Sequence, residues 1–227
     1  MSTTTVPSTV PSTVPIAVEP PRILFVSPSG RATLALRRVP HPLLKAAAKV
    51  LWTGNYIPKE RLKFTLYGKE CVMQRRQAYF GKGIYRFSGV DQHAIPFPPE
   101  MMALLTHVNS VLGSNFNGIL VNIYNNGEDY ISAHSDDKGV DPEHGVVTVS
   151  FGAMRKLVIK TKATKKRKHS DDEDIEPKPA VKVCEVDMTS GDLLHMTGNF
   201  QDEYTHEIPK QKKVKDMRIS FTFRKHI

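Results

Sequence analysis

The segment ISAHSDD carries a histidine and an aspartate two residues apart, His134 and Asp136. In an extended strand, residues i and i+2 share a face with Cα atoms roughly 7 Å apart, so an imidazole and a carboxylate can converge on one ion. Two histidines and one carboxylate on one side of a metal leave three positions open, the arrangement non-haem Fe(II) oxygenases use. A lone His-X-Asp is more often a chance surface pair, so the case rests on its company. Two downstream histidines are candidates for the third ligand. His195 is flanked by Leu193, Leu194 and Met196 and reads as a packing residue. His206, in EYTHEIP, follows a polar turn and is the better choice.

A second constellation ends the chain. In MRISFTFRK, Met217, Ile219, Phe221 and Phe223 alternate with Arg218, Ser220, Thr222 and Arg224. The apolar set can pack on a sheet while two arginines share the opposite face. A guanidinium fork matches a carboxylate in two parallel hydrogen bonds, so this face suits a dicarboxylate such as 2-oxoglutarate. The competing reading is an ordinary strand with a solvated polar face. VNIYN repeats the pattern: Asn122 and Tyr124 share a face opposite Val121 and Ile123, and add an amide and a phenol for the same acid.

These side chains need a scaffold. At 227 residues with 40% hydrophobic content, the chain suits one domain with a sizeable core. Helical spacing predicts a short helix over Pro42–Trp52 and a longer one over Pro99–Leu112. In the second, Met101, Leu104, Leu105, Val108, Val111 and Leu112 share a face and Gly113 ends it. Strands follow at Leu120–Tyr124, Ile131–Asp136, Val146–Phe151, Lys156–Lys160, Val181–Val186, Asp192–Thr197 and Arg218–Arg224. This order predicts an α+β protein built on a β-sandwich or jelly roll. Residues 1–20, with their Val-Pro-Ser-Thr repeat, read as a disordered tail, and 21–227 as the domain. Thr161–Pro179, holding the basic block Lys165–Lys168 and the acidic run Asp171–Asp174, reads as a charged loop insert within it.

Thirty-two Lys and Arg against 23 Asp and Glu give a net charge of +9, which suits a polyanionic partner. The two cysteines, Cys71 and Cys184, match no metal-binding spacing and form no disulfide framework, which favours a reducing compartment. No apolar run approaches the roughly 20 residues of a membrane-spanning helix, and the N-terminus lacks the pattern of a secretory signal. A monomer with no membrane partner is expected.

Together the segments NIYNNGEDYISAHSDD, VSFGAMR, GDLLHMTGNF with YTHEIP, and RISFTFR closely resemble the AlkB family of Fe(II)/2-oxoglutarate-dependent dioxygenases. RRQAYFG and YRFSG, at Arg75–Gly81 and Tyr85–Gly89, point to its eukaryotic DNA repair demethylase branch. The resemblance runs in order from about Leu62 to the C-terminus. It implies a double-stranded β-helix (jelly roll) with N-terminal helices supporting the sheet. His134, Asp136 and His206 would bind Fe(II). Arg218 would pair with the distal carboxylate of 2-oxoglutarate, helped by Asn122, Tyr124, Ser220 and Arg224. O2 is the other co-substrate; the oxo acid becomes succinate and CO2, and the alkyl carbon leaves as formaldehyde.

The implied substrate is an alkylated base in nucleic acid, DNA ahead of RNA, such as 1-methyladenine or 3-methylcytosine. The base must leave its stack, and Phe87 and His134 would sandwich it. Tyr85 and Ser88 would line the lid, and Arg155 would face the pocket. Arg75, Arg76, Lys212 and Lys213 would hold phosphates. An RNA demethylase of the same fold is the alternative. A non-catalytic nucleic-acid-binding module is the weaker one, because all three ligand types are present. Lys165–Lys168 resembles a nuclear localisation signal, which implies a nuclear protein, with the cytoplasm as the alternative; a backbone-gripping loop and a solvated linker are the competing roles.

Three positions depart from the family's pattern. Lys138 stands where this branch usually has an acid that contacts the exocyclic amino group, which predicts weaker discrimination for amino-bearing bases. Ser220 replaces an asparagine common among members, and the insert is long and charged. Tyr67-Gly68-Lys69 reads as a hairpin tip, with Tyr67 set to fill the gap left by a flipped nucleotide; stacking on bases contributes roughly 1–3 kcal/mol. Tyr67→Ala should therefore reduce repair of double-stranded substrate much more than of single-stranded substrate. Equal losses on both substrates, or none on either, would return Tyr67 to the role of a surface tyrosine.

Overall fold

The computed structural model describes residues 20–66, 68–87, 89–136, 141, 143–164 and 178–225. The tail before Pro20, Tyr67, Ser88, Lys138 and the charged runs at 165–168 and 171–174 lie outside the described residues.

In chain order the elements are β1 (Arg22–Val26), β2 (Ala32–Arg38), α1 (His41–Thr53), β3 (Lys63–Leu66), β4 (Lys69–Val72), β5 (Arg76–Phe80), β6 (Ile84–Phe87) and β7 (Val90–His93). After these come α2 (Pro99–Leu112), β8 (Gly118–Tyr124), β9 (Ile131–His134), β10 (Val146–Gly152), β11 (Arg155–Thr161), β12 (Lys182–Met188), β13 (Asp192–Gly198), α3 (Phe200–Glu203), β14 (Tyr204–Ile208) and β15 (Arg218–Arg224). A seven-stranded sheet has the order β1-β2-β13-β10-β15-β8-β5, and a four-stranded sheet the order β12-β11-β14-β9. The hairpins β3–β4 and β6–β7 form separate two-stranded sheets. Neighbouring strands run antiparallel. The architecture is thus the expected α+β one, mostly antiparallel sheet with few helices.

Strand alternation divides the interior into two cores. Ile219, Phe221 and Phe223 of β15 join Val121 and Ile123 of β8 and pack against Leu44 and Leu51 of α1 and Leu104 and Val108 of α2. The helices therefore cover one face of the large sheet. The second core lies between the sheets, where Leu34, Val146 and Leu194 meet Leu157, Ile159, Val186 and Ile208. Arg218, Ser220, Thr222 and Arg224 point away from the helices, yet all four are buried. The solvated-face reading of that strand is thereby excluded.

The helix ends have local causes. Both α1 and α2 carry proline in their first turn, where the missing N–H costs nothing. Gly113 closes α2 at φ 61°, a left-handed cap that glycine adopts without penalty, and its N–H returns to the Asn109 carbonyl. Predicted and observed elements differ in several places. The strand predicted over 131–136 stops at His134, because the Asp136 N–H is taken by the Gln201 side chain rather than by a neighbouring strand. The polar turn before His206 is the four-residue α3, which runs directly into β14. The strands β1, β2, β5, β6 and β7 were not anticipated. The insert joins β11 to β12 at paired legs: the Thr161 N–H donates to the Val181 carbonyl and the Thr164 N–H to the Lys178 carbonyl.

Candidate active site

Three donors converge between the sheets. Antiparallel pairing of β9 with β14 sets His134 opposite His206, with ring centroids 4.3 Å apart. Asp136 turns back toward both: its Oδ1 lies 3.8 Å from His134 Nε2, and its Oδ2 3.6 Å from His206 Nε2. One ligand atom from each lies within 4.8 Å of the others. His134 Nδ1 sits 2.9 Å from the Ser132 carbonyl, a contact that calls for the proton on Nδ1 and leaves the Nε2 lone pair facing the aspartate. Burial pushes the His134 imidazole below its usual range, and burial together with His134 pushes His206 down to about 3. Burial alone would raise the Asp136 carboxyl, but Arg224, His206, His134 and Arg75 together hold it at about 2. Near neutral pH the cluster therefore presents two neutral imidazoles and a carboxylate, the donor set that suits Fe(II).

The opposite wall of the same cavity, about 750 Å³ in volume, is cationic. Arg218 is 1% exposed and donates from Nε to Ser150 Oγ at 2.9 Å. Its Nη1 is buried with no hydrogen-bond partner among the described residues. The guanidinium lies 5.3 Å from the centre of the Tyr124 ring, and burial lowers its pKa to about 10, which leaves it charged at neutral pH. A buried cation with an unspent donor is costly, and an entering carboxylate offsets that cost. Cross-strand register places Tyr124 opposite Arg218, Asn122 opposite Ser220, and Ser220 opposite Ser150. Arg75 Nε donates to Asn122 Oδ1 at 2.6 Å, which leaves the amide nitrogen of Asn122 as its donor.

Arg224 sits between the two walls. Its Nη2 donates to Asp136 Oδ1 and its Nη1 to Tyr85 Oη at 2.9 Å, while its Nε is buried without a partner among the described residues. The strand thus brings both arginines to the cavity, but Arg224 is committed first to the carboxylate of the metal cluster.

Tyr85, Phe87 and Arg75 line the cavity together with His134. The Tyr85 and Phe87 rings stack with centroids 5.6 Å apart. Two expectations need correction. Arg155 does not line the cavity: its guanidinium donates to the carbonyls of Asn126, Asp129 and Pro209 and to Gln211 Oε1, and so ties strand β11 to two loops. Arg75 faces inward on Asn122 rather than outward to phosphates, and Arg76 is engaged with Asn125. Lys212 and Lys213 are exposed. His195 stands apart from the cluster, with Nε2 2.8 Å from the His144 carbonyl.

Ser150 and Gln201 are site residues that the sequence reading missed. Ser150 was legible: Thr148 and Ser150 interrupt the valines of VVTVSFG with period two, the same alternation that singled out β15. Gln201 had no signal, because its role depends on α3 folding beside β9.

A His-Asp-His cluster with Asp136 and His206 buried and His134 half-buried, facing a buried arginine between two antiparallel sheets, defines an iron oxygenase that uses an oxo acid. The chain belongs to the 2OG-Fe(II) oxygenase superfamily, whose model matches residues 44–224. It is 33% identical over 174 residues to the Homo sapiens DNA oxidative demethylase ALKBH2, covering 75% of this chain and 64% of that protein. The Mus musculus ALKBH2 is 32% identical, with 70% of its length covered. The Bos taurus alpha-ketoglutarate-dependent dioxygenase alkB homolog 3 is 30% identical over 155 residues, 66% of this chain and 51% of that one. The chain thus spans about two thirds of the ALKBH2 proteins and about half of that alkB homolog 3. The solved structure of OsALKBH1 superposes with a TM-score of 0.50 at 18% identity, over 90% of this chain and all of that one, which supports the fold.

Arg218→Lys should raise the 2-oxoglutarate concentration needed for half-maximal succinate formation on the order of tenfold or more, since a lysine cannot replace two charge-assisted hydrogen bonds. Ser150→Ala should raise it less, because only the Nε anchor is lost. An unchanged 2-oxoglutarate dependence in Arg218→Lys would remove Arg218 from the co-substrate site.

Proposed function

We propose that this chain is an Fe(II)- and 2-oxoglutarate-dependent dioxygenase on a double-stranded β-helix, which removes alkyl groups from bases in nucleic acid by oxidation. The observation that carries this reading is the pairing of a neutral-imidazole, carboxylate cluster with the unspent donor of Arg218 across one cavity. His134, Asp136 and His206 hold Fe(II). Arg218 binds the distal carboxylate of 2-oxoglutarate, with Tyr124, Asn122 and Ser220 beside it. When bound, the iron supplies the oxidation that turns O2 and 2-oxoglutarate into CO2, succinate and a hydroxylated alkyl carbon, which leaves as formaldehyde. Phe87 and His134 orient the flipped base, and Tyr85 closes the lid while fixing Arg224 on Asp136.

DNA is the preferred polymer, consistent with relatives named DNA oxidative demethylases, and 1-methyladenine and 3-methylcytosine are the expected lesions. The net charge of +9 and the exposed Lys212 and Lys213 suit a phosphate backbone. Residues 21–227 form the catalytic unit, with 161–179 an insert in it; the unit works as a monomer, and Lys165–Lys168 directs it to the nucleus.

Incubation with Fe(II), 2-oxoglutarate and oligonucleotides bearing methylated bases, as single-stranded DNA, duplex DNA and RNA, tests this directly. Loss of the methyl group matched by formaldehyde and succinate is expected, fastest on DNA. Faster turnover of RNA would reverse the polymer assignment, and no methyl loss on any polymer would refute the demethylase reading.

A further inference from the structure

The three ligands of the cluster are not held alike. His134 and His206 sit in paired strands, where the ladder between β9 and β14 fixes their backbones. Asp136 lies two residues past the end of β9, beyond the last residue that β9 pairs with β14. Its N–H is nevertheless buried, and a buried N–H left without an acceptor is destabilising. The acceptor is Gln201 Oε1, at 2.8 Å. Gln201 is itself 9% exposed, and its Nε2 lies 3.7 Å from Met196 Sδ, which points the carbonyl oxygen of its amide toward Asp136.

The platform beneath Gln201 is rigid. Its neighbour Phe200 is fully buried in the core between the sheets, with the Tyr204 ring tilted against it at a centroid distance of 5.4 Å. The start of α3 is pinned by the Asn199 N–H on the Arg31 carbonyl. Ser135 Oγ donates to the Tyr204 carbonyl at 2.9 Å, so the residue before Asp136 is tied to the same turn.

We infer that Gln201 is a positioning residue of the metal centre: its side-chain carbonyl takes the place of a missing strand partner and sets where the Asp136 carboxylate meets the ion. This rests on the reading of His134, Asp136 and His206 as the ligands. Groups that orient a metal ligand typically change affinity 10–100-fold when removed.

The test is titration of the full chain with Co(II), followed by the visible absorption of the bound ion, alongside thermal melting of the metal-free protein. Gln201→Leu should bind Co(II) about tenfold more weakly, with an altered absorption band, while the metal-free protein still melts cooperatively, a few degrees below the parent as one unpaired buried N–H requires. Gln201→Glu, which keeps an acceptor oxygen at the same reach, should restore the affinity and the band. If Gln201→Leu does not fold, Gln201→Met has the same length without the acceptor and serves instead. Unchanged Co(II) affinity and band in a folded Leu or Met variant overturns the inference, as does a Glu variant as weak as the Leu one. A parent chain that binds no Co(II) overturns the ligand assignment, and the role of Gln201 with it.

Discussion

The site depends on the register between β9 and β14. Side chains alternate across a strand with period two, so a slip of one residue in that pairing would turn His206 to the opposite face. The register is enforced from the far side: β14 also pairs with β11, with His206 opposite Ile159, and Ile159 is fully buried in the core between the sheets. Hydrophobic packing on one edge of the small sheet thus fixes the imidazole pair on the other. Asp136 escapes this control because it lies past the strand end, and side chains from α3 and β15 compensate.

Charge balance is the second constraint. Beside Arg86, which is exposed and paired with Asp91, the cavity is lined by Arg218, Arg224 and Arg75, whereas Asp136 is the carboxylate among its described lining residues. Burial works against each of these guanidinium groups. Arg224 is compensated by Asp136, Arg75 leans on neutral amides, and Arg218 keeps a donor in hand. A dianionic oxo acid and a divalent cation entering together would leave this balance nearly unchanged while satisfying the open donors. Arg224 also joins the β6–β7 hairpin to the His-Asp-His cluster: one nitrogen reaches Tyr85 on that hairpin and another Asp136.

Much of this was legible in the amino-acid sequence, and the reason is periodicity. The alternation in MRISFTFRK and VNIYN marked the faces that meet the helices and the cavity, and α2 was bounded by Pro99 and Gly113. The His-X-Asp spacing and the preference for His206 over His195 followed from local context. The failures share a cause in long-range geometry. Arg155 was expected to serve substrate, but its donors are spent on carbonyls brought near it by two loops distant in sequence. Gln201 gave no sign, since a glutamine in a polar turn is informative only once α3 lies beside Asp136. The strands β1 and β2 were hidden by weak alternation: Ile23 and Val26 are apolar yet exposed on the edge of the sheet.

The most direct measurement of the central assignment is anaerobic equilibrium binding of Fe(II) to the parent chain and to single variants of its histidines and aspartate. One bound ion per parent chain is expected, with binding lost or severely weakened in His134→Ala, Asp136→Ala and His206→Ala, full binding in His195→Ala, and every variant folded. Retention of the ion by a folded His206→Ala chain, with its loss from His195→Ala, would contradict that assignment.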